Sequence, residues 1–358
     1  MKTRTGRVFK DRDYLLTKDG LFFCVLGCLH PTNRVLAYLK YRPSPSGKWG
    51  TGSHRFERAI PNYTVPAVLT TIDYLEKKFP YYVFEDKTIR AKFSAVPLDA
   101  IESHFCPESL VQWLLSSDRL DKLQKKAVAL IRHLSRKAGI DTTSLGVTGS
   151  LLIGIHKPRF SDIDLVVYGS KSSLKIREAL RKSYSERNSS IRKLEGQKLR
   201  DWCHEKSRLF QMTIAEAEGL YRRTWNRGEF QGTLFSVHPV RDGQDLHGRY
   251  GETIFHPLET VTMKAEIRGV NEAIFLPAIY EVEKSVRLGT GRSLGVTQLA
   301  SYEGLYCDVF KRGDTVIARG LLEKVIDRRR GKTWKRLLIG SAALRGRDYV
   351  RPTGTVFR

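Results

Sequence analysis

Apolar positions change their period along this chain. From Arg119 to Ala138 they fall at Leu123, Ala127, Leu130, Ile131 and Leu134, the three-and-four spacing of a helix that buries one face. Gly139 follows at the position where helices end in a left-handed turn. Val65 to Lys78 repeats that spacing at Val68, Leu69, Ile72 and Leu75, and Pro107 to Leu115 reads as a shorter helix. A further helix is expected to run to about Tyr184 along Leu174, Ile176 and Leu180, with Ser172 or Ser173 as its cap. Elsewhere the runs are short and rich in β-branched and aromatic residues. Arg7 to Thr17, Leu21 to His30 and Arg34 to Tyr41 read as strands, with Asp19-Gly20 turning between the first two. Strand-like Tyr81 to Phe84 follows, and Pro43 to Gly47 reads as a loop. Phe230 to Val240 predicts another strand.

Beyond about residue 252 the strand texture takes over. Thr260 to Arg268, Ala273 to Glu281, Gln298 to Phe310, Thr315 to Ile326 and Thr333 to Gly340 alternate with turns such as Arg312-Gly313-Asp314. These textures predict an α+β multidomain chain. Residues 1–105 form an N-terminal α+β segment, 106–250 a central one, and 251–358 a basic small barrel or sandwich.

Chemistry concentrates between Gly146 and Tyr168. Asp162 and Asp164 flank Ile163 and precede the apolar run Leu165-Val166-Val167. Side chains alternate along a strand, so both carboxylates point to one side. Two acids held together near a buried strand repel each other, a cost that a cation between them removes. Mg²⁺ or Mn²⁺, which favour carboxylate and phosphate oxygens, suits such a pair. Upstream, Gly149 permits close backbone approach and Ser150 offers a hydroxyl and an amide to a phosphate.

This arrangement resembles the DNA polymerase β-like nucleotidyltransferase superfamily, whose signature is Gly-Gly or Gly-Ser, a spacer of about ten residues, and Asp-apolar-Asp-apolar. Gly149-Ser150 and Asp162-Ile163-Asp164-Leu165 match, Ser161 stands where the family often has serine, and the likeness covers roughly residues 121–250. The three-part layout is also similar to archaeal-type predicted nucleotidyltransferases. The resemblance implies that Asp162 and Asp164 bind Mg²⁺ or Mn²⁺, and that Gly149, Ser150 and Ser161 contact the triphosphate of an NTP such as ATP. Lys157 or Arg159 would steady that triphosphate electrostatically. The family also carries a third acid on a following strand, which completes the metal site. Here Phe230 to Val240 contains none; Glu229 and Asp242 bracket the run and His238 lies within it. The third ligand is therefore open among Asp242, Glu229 and His238.

Charge sharpens the choice of partner. The 358 residues carry 62 Lys and Arg against 38 Asp and Glu, a formal charge of +24. That excess suits a polyanion, RNA in preference to DNA. Residues 171–200 hold ten Lys and Arg against three Glu, and residues 311–358 fourteen against four Asp and Glu. Arg328-Arg329-Arg330-Gly331-Lys332 reads as a basic hairpin tip, with Trp334, Lys335 and Arg336 beyond it. Arg42, Lys48, Arg55 and Arg58, with Trp49 and Phe56, form a second basic-aromatic stretch. No run of about eighteen apolar residues occurs, so no membrane span is expected, and Met1 to Arg7 lacks the apolar run of a signal peptide. Five cysteines without framework spacing suit a reducing cytoplasm. Cys24, Cys28 and His30 share even spacing but sit among Phe22, Phe23, Val25 and Leu26, which favours core thiols over zinc; Cys203-His204 reads as structural too.

The leading expectation is transfer of an NMP from an NTP to a nucleic acid. A catalytically weak or inactive nucleic-acid-binding protein of the same fold is the alternative. Transfer to a protein or small molecule is a third; cationic antibiotics would call for an acidic acceptor site, which this basic chain does not suggest.

Overall fold

The computed structural model describes residues 8–246 and 248–353; Arg7, where the first strand was expected to begin, lies outside them. In chain order the first elements are β1 (Tyr14–Thr17), β2 (Phe22–Val25), β3 (Arg34–Pro43), β4 (Trp49–Thr51) and β5 (His54–Arg58). Next come α1 (Val65–Lys78), β6 (Val83–Asp86), β7 (Ala91–Pro97), β8 (Ile101–Phe105), α2 (Pro107–Ser116) and α3 (Lys122–Ala138). The middle of the chain forms β9 (Leu145–Thr148), α4 (Gly149–Leu152), β10 (Ile163–Tyr168), α5 (Ser170–Ser185), β11 (Ile191–Arg192), α6 (Gly196–Phe210) and α7 (Ile214–Arg223). Strands complete it: β12 (Arg227–Phe230), β13 (Thr233–Val240), β14 (Thr253–Glu272), β15 (Ala278–Arg287), β16 (Val296–Ser301), β17 (Thr315–Asp327), β18 (Lys332–Ile339) and β19 (Tyr349–Thr353). The protein is thus multidomain α+β.

Two compact units divide the chain, each assembled from three stretches. One comprises the described residues of Met1–Pro61, Ser94–Leu194 and Trp225–His247, the other those of Asn62–Phe93, Glu195–Thr224 and Gly248–Arg358. Residues 1–105, read as one segment from sequence, are therefore shared between both.

In the first unit, β11, β12, β13, β10 and β9 form one sheet in that order. Strand β10 runs parallel to β13, with Asp164 opposite Ser236, and antiparallel to β9, with Asp164 opposite Thr148. Alternation then sorts the faces. Ile163, Leu165, Val167, Phe235, Val237, Leu145 and Val147 share one face and are all buried. Helix α5 packs on this sheet and α3 packs on α5. The five apolar α3 residues anticipated from their spacing are all buried, the leucines and the isoleucine each stabilising by about 1.5–3 kcal/mol. Asp121 caps α3 in a reciprocal capping box with Gln124, and Gly139 ends it at φ 59°. Neither Ser172 nor Ser173 caps α5: Asp245 does so from outside the helix, accepting the Ser170 amide and hydroxyl at 2.7 Å each. The opposite, polar face of the sheet carries Asp164, Ser236 and His238.

Strands β1, β2 and β3 pair antiparallel in the same unit, β1 also pairs with β8, and β3 with β5. The Asp19-Gly20 turn forms as expected, with Gly20 at φ 73°. The run Phe230 to Val240 is two strands rather than one, because Gln231 and Gly232 both take positive φ and fold it into a hairpin.

In the second unit, β14 pairs with β15, β15 with β16, β16 with β18, β18 with β17, and β17 with β14, so the pairings return to their start. Arg328 to Gly331 form the β17–β18 tip, as the basic run predicted. Arg336 does not belong to that exposed surface. It is buried against Glu323, at 2.6 Å, with its guanidinium 3.8 Å from the Phe255 ring centroid. The helices α6 and α7 and the strand β19 were not anticipated, for their apolar positions are sparse among charges.

Candidate active site

The site begins where β9 ends. Thr148 donates its hydroxyl to the Arg12 carbonyl at 2.8 Å, and the chain then turns sharply at Gly149, φ 71°. A Cβ at Gly149 would stand 2.6 Å from Asp164 Oδ2, so glycine is required here both for its backbone and for the room it leaves. The segment from 150 to 161 is tied down by its own polar groups. The Ile155 amide donates to the Ser150 carbonyl at 3.1 Å and the Ser161 amide to the Lys157 carbonyl at 2.9 Å. The Lys157 amide donates to Ser161 Oγ at 2.9 Å, and Ser150 Oγ to Ser161 Oγ at 3.4 Å. Ser150 and Ser161 are buried, whereas Arg159 is exposed and Lys157 half-buried.

Asp162 and Asp164 lie half-buried at the start of β10. Their environments push them apart. The Asp164 carboxylate, with burial further opposing its charge, raises the Asp162 pKa above the ordinary range. Burial would raise Asp164 as well, but His238, Ser236 and Lys40 outweigh it and hold that carboxyl low. Ser236 Oγ donates to Asp164 Oδ1 at 2.5 Å and lies 2.7 Å from His238 Nε2. His238 is itself 3.7 Å from the same carboxylate oxygen. Burial depresses its pKa to about 4, so it is neutral at pH 7. Its Nε2–H then donates to Ser236 Oγ, whose own proton goes to Asp164.

Of the three third-ligand candidates, only His238 is beside Asp164. Asp242 is two residues beyond the end of β13 and ion-paired with Lys10 at 2.8 Å. Six residues of strand, roughly 20 Å, separate it from Ser236. Glu229 sits on β12 opposite Leu234 and Arg192, two strands away from β10. The β13 position directly opposite Asp164 is a serine.

Sequence reading missed the N-terminal contribution to this site. Lys40 on β3 is fully buried, and burial, then Arg58, lowers its pKa to about 7. Both carboxylates feel Lys40, and Asp162 also feels Arg58. Arg58 lies 4.7 Å from the Trp49 ring centroid. Trp49 meets Tyr41 at 5.7 Å and Phe160 at 5.9 Å, centroid to centroid. Phe160 is 56% exposed although it lies two residues before Asp162, so an open aromatic edge stands beside the acids. A lysine inside the apolar run Leu39-Lys40-Tyr41 was the signal that could have flagged β3. Of the other basic residues of that stretch, Arg42 pairs with Glu57 and the exposed Arg55 donates to the Gly47 carbonyl, while Lys48 is exposed. Some of the predicted basic track at 171–200 is likewise engaged, Arg177 and Arg181 by Glu178.

The cysteines are all thiols. Cys24 is core, as expected; Cys28 is half-buried with its Sγ 3.6 Å from the Arg241 carbonyl. His30 is held by backbone, its Nε2 3.3 Å from the Phe9 carbonyl and its Nδ1 accepting the Leu36 amide. They do not converge on a metal. A different trio, Asp13, His104 and Cys106, brings its ligand atoms within 4.8 Å of one another.

Against known proteins, the chain is similar to an uncharacterised protein of Methanocaldococcus jannaschii, 26% identical over 350 residues and spanning 95% of this chain and 98% of that one. No family model matches the chain, and no solved structure matches it. No described helix is long and apolar enough to cross a membrane.

Proposed function

We propose that this protein is a metal-dependent nucleotidyltransferase of the DNA polymerase β-like kind, transferring an NMP from an NTP to a nucleic acid, RNA in preference to DNA. The observation that carries this reading is the close seating of Asp164 against Gly149, with Asp162 beside it and held above its ordinary pKa by the Asp164 charge. A cradle that a single methyl group would fill, under two mutually repelling acids, fits a divalent cation held by both carboxylates. Mg²⁺ or Mn²⁺ bound there would neutralise the triphosphate and polarise its α-phosphorus. Asp162 and Asp164 would hold it, and Ser236, oriented by His238, fixes the Asp164 carboxylate through its hydrogen bond. Lys40 and Arg58 partly offset the acids before substrate arrives. Lys157 and Arg159, in the turn above, are the side chains suited to the phosphates. The Phe160 edge, backed by Trp49, offers a face to a base. In the reaction a hydroxyl of the acceptor forms the new bond to the α-phosphorus, and the bond to the β-phosphate breaks to release pyrophosphate.

The second unit supports a polymer acceptor. A ring of five paired strands is the architecture of small nucleic-acid-binding barrels, and its β17–β18 tip projects exposed Arg328, Arg329 and Arg330. A cytoplasmic setting accords with five thiols and an RNA partner. One observation favours a second reading, a binding protein that has lost turnover: serine and a neutral histidine occupy the positions nearest Asp164 where a third acid would complete the site.

The test is incubation with each NTP labelled in its α-phosphate, Mg²⁺ or Mn²⁺, and total RNA, beside Asp162→Ala/Asp164→Ala. Label reaching RNA with wild type alone is the expected result. No transfer with any nucleotide, with salt-sensitive RNA binding equal in both proteins, would select the binding reading.

A further inference from the structure

Asp13, His104 and Cys106 are brought together by strand pairing. Tyr14 lies opposite Phe105 in the β1–β8 ladder; continuing that register by one residue sets Asp13 opposite Cys106. His104, two residues before Cys106, projects from the same face. All three side chains are buried, at 0%, 7% and 3% exposure. His104 Nε2 lies 2.8 Å from Asp13 Oδ2 and 3.7 Å from Cys106 Sγ, so one ring nitrogen faces both partners. Sγ also lies 4.0 Å from His104 Nδ1, so its nearer approach is to Nε2, the nitrogen that faces the carboxylate. That geometry suits three ligands around one point.

We infer that Asp13, His104 and Cys106 form a second metal site, for a borderline-soft divalent ion of the zinc class, distinct from the Asp162–Asp164 pair. A nitrogen, an oxygen and a sulfur donor match zinc and disfavour Mg²⁺. Bond lengths of about 2.0–2.3 Å to such an ion set neighbouring ligand atoms roughly 3.3–3.6 Å apart. The sulfur–nitrogen distance, 3.7 Å, exceeds that range by about 0.1 Å, and the carboxylate must recede from His104 by about half an ångström. One carboxylate and one thiolate neutralise a dication, which leaves no net charge in a buried place. Binding requires the Cys106 thiol to release its proton to solvent and the His104 proton to reside on Nδ1, freeing the Nε2 lone pair. Outer contacts are in place: the Lys10 amide donates to Asp13 Oδ2 at 2.9 Å, and the Phe9 ring packs 4.7 Å from that of His104. The bound ion would pin the turn at residues 10–13 to β8. Arg12 within that turn takes φ 71° and accepts the Thr148 hydroxyl, so the pin supports the backbone on which Gly149 turns.

The experiment treats the full chain with chelator, dialyses it, and titrates Co²⁺ as a spectroscopic probe. One Co²⁺ per chain, a thiolate-to-cobalt charge-transfer band and release of a proton are expected. The band should vanish in Cys106→Ser and survive in Cys307→Ser, with near-ultraviolet circular dichroism reporting the fold of each. If Cys106→Ser does not fold, wild type alone decides: one equivalent of Zn²⁺ should slow alkylation of Cys106, mapped by mass spectrometry in mild urea, more than that of any other cysteine. Absence of a charge-transfer band in folded wild type, a band that persists in folded Cys106→Ser, or protection of a different thiol would overturn the inference.

Discussion

Two clusters in the first unit are suited to metals, and they are built in opposite ways. The Asp162–Asp164 pair is half-open, all oxygen, and assembled from residues two apart on one strand. The Asp13–His104–Cys106 trio is closed, mixed in donor type, and joins residues 91 positions apart. An open oxygen pair leaves coordination positions for phosphates and exchanges its ion readily. A nitrogen–sulfur trio whose side chains are all buried would instead hold the fold. Electrostatics follow the same division. In the open pair the Asp164 charge still holds Asp162 above its ordinary range, while in the closed trio the carboxylate has a histidine partner at 2.8 Å. One chain thus separates the metal that would do chemistry from the metal that would do carpentry.

The largest expected effect tests the open pair. Asp162→Ala/Asp164→Ala should reduce NMP transfer by about 100-fold or more, as loss of groups that stabilise transition-state charge does, yet leave the folded core intact. Next comes the closed trio. Stripping its metal should destabilise the chain by about 2.7 kcal/mol for an ion present at a hundred times its dissociation constant, read as a fall in thermal midpoint that Mg²⁺ does not restore. If Mg²⁺ alone restored it, the distinction between the clusters would collapse. Gly149→Ala is smaller but joins the two, since the turn at Gly149 rests on the Thr148–Arg12 contact. Its methyl group meets Asp164 and its backbone sits at positive φ, which should cost about 1–3 kcal/mol of stability and weaken Mn²⁺ binding; unchanged binding would remove the cradle from the account.

A last effect is spread over several pH units and concerns Lys40, whose pKa is lowered to about 7, chiefly by burial. A lysine depressed in the folded state contributes stability that is present above its ordinary pKa and lost as pH falls through the folded one. Urea unfolding of the metal-free chain should therefore gain up to roughly 1.4 kcal/mol per pH unit between about pH 7 and about pH 10. Lys40→Met should flatten that slope. A slope identical in the variant would show that Lys40 is not the group responsible.

Legibility in the sequence followed distance along the chain. Helix α3, its capping glycine, the Asp19-Gly20 hairpin and the acid pair were readable because each is fixed by neighbours within a few residues. The hairpin at Gln231-Gly232 was missed because an apolar run continues on both sides of it. The cap of α5 was misplaced because a carboxylate from Asp245 supplies it, 75 residues away. The same reason hid Lys40 and Arg58 beside the acids, and the Asp13–His104–Cys106 trio altogether: pairing of β1 with β8 makes that cluster, and no spacing rule announces it. Even spacing did single out Cys24, Cys28 and His30, but neighbouring backbone groups hold His30 and the trio does not converge.

The most direct measurement is a Mn²⁺ titration with a non-hydrolysable NTP analogue, followed by electron paramagnetic resonance, on wild type, Asp164→Asn and Cys106→Ser. The account predicts that analogue-dependent Mn²⁺ binding is present in wild type and Cys106→Ser and lost in Asp164→Asn. Mn²⁺ binding that survives Asp164→Asn unchanged, or that never depends on the nucleotide, would contradict it.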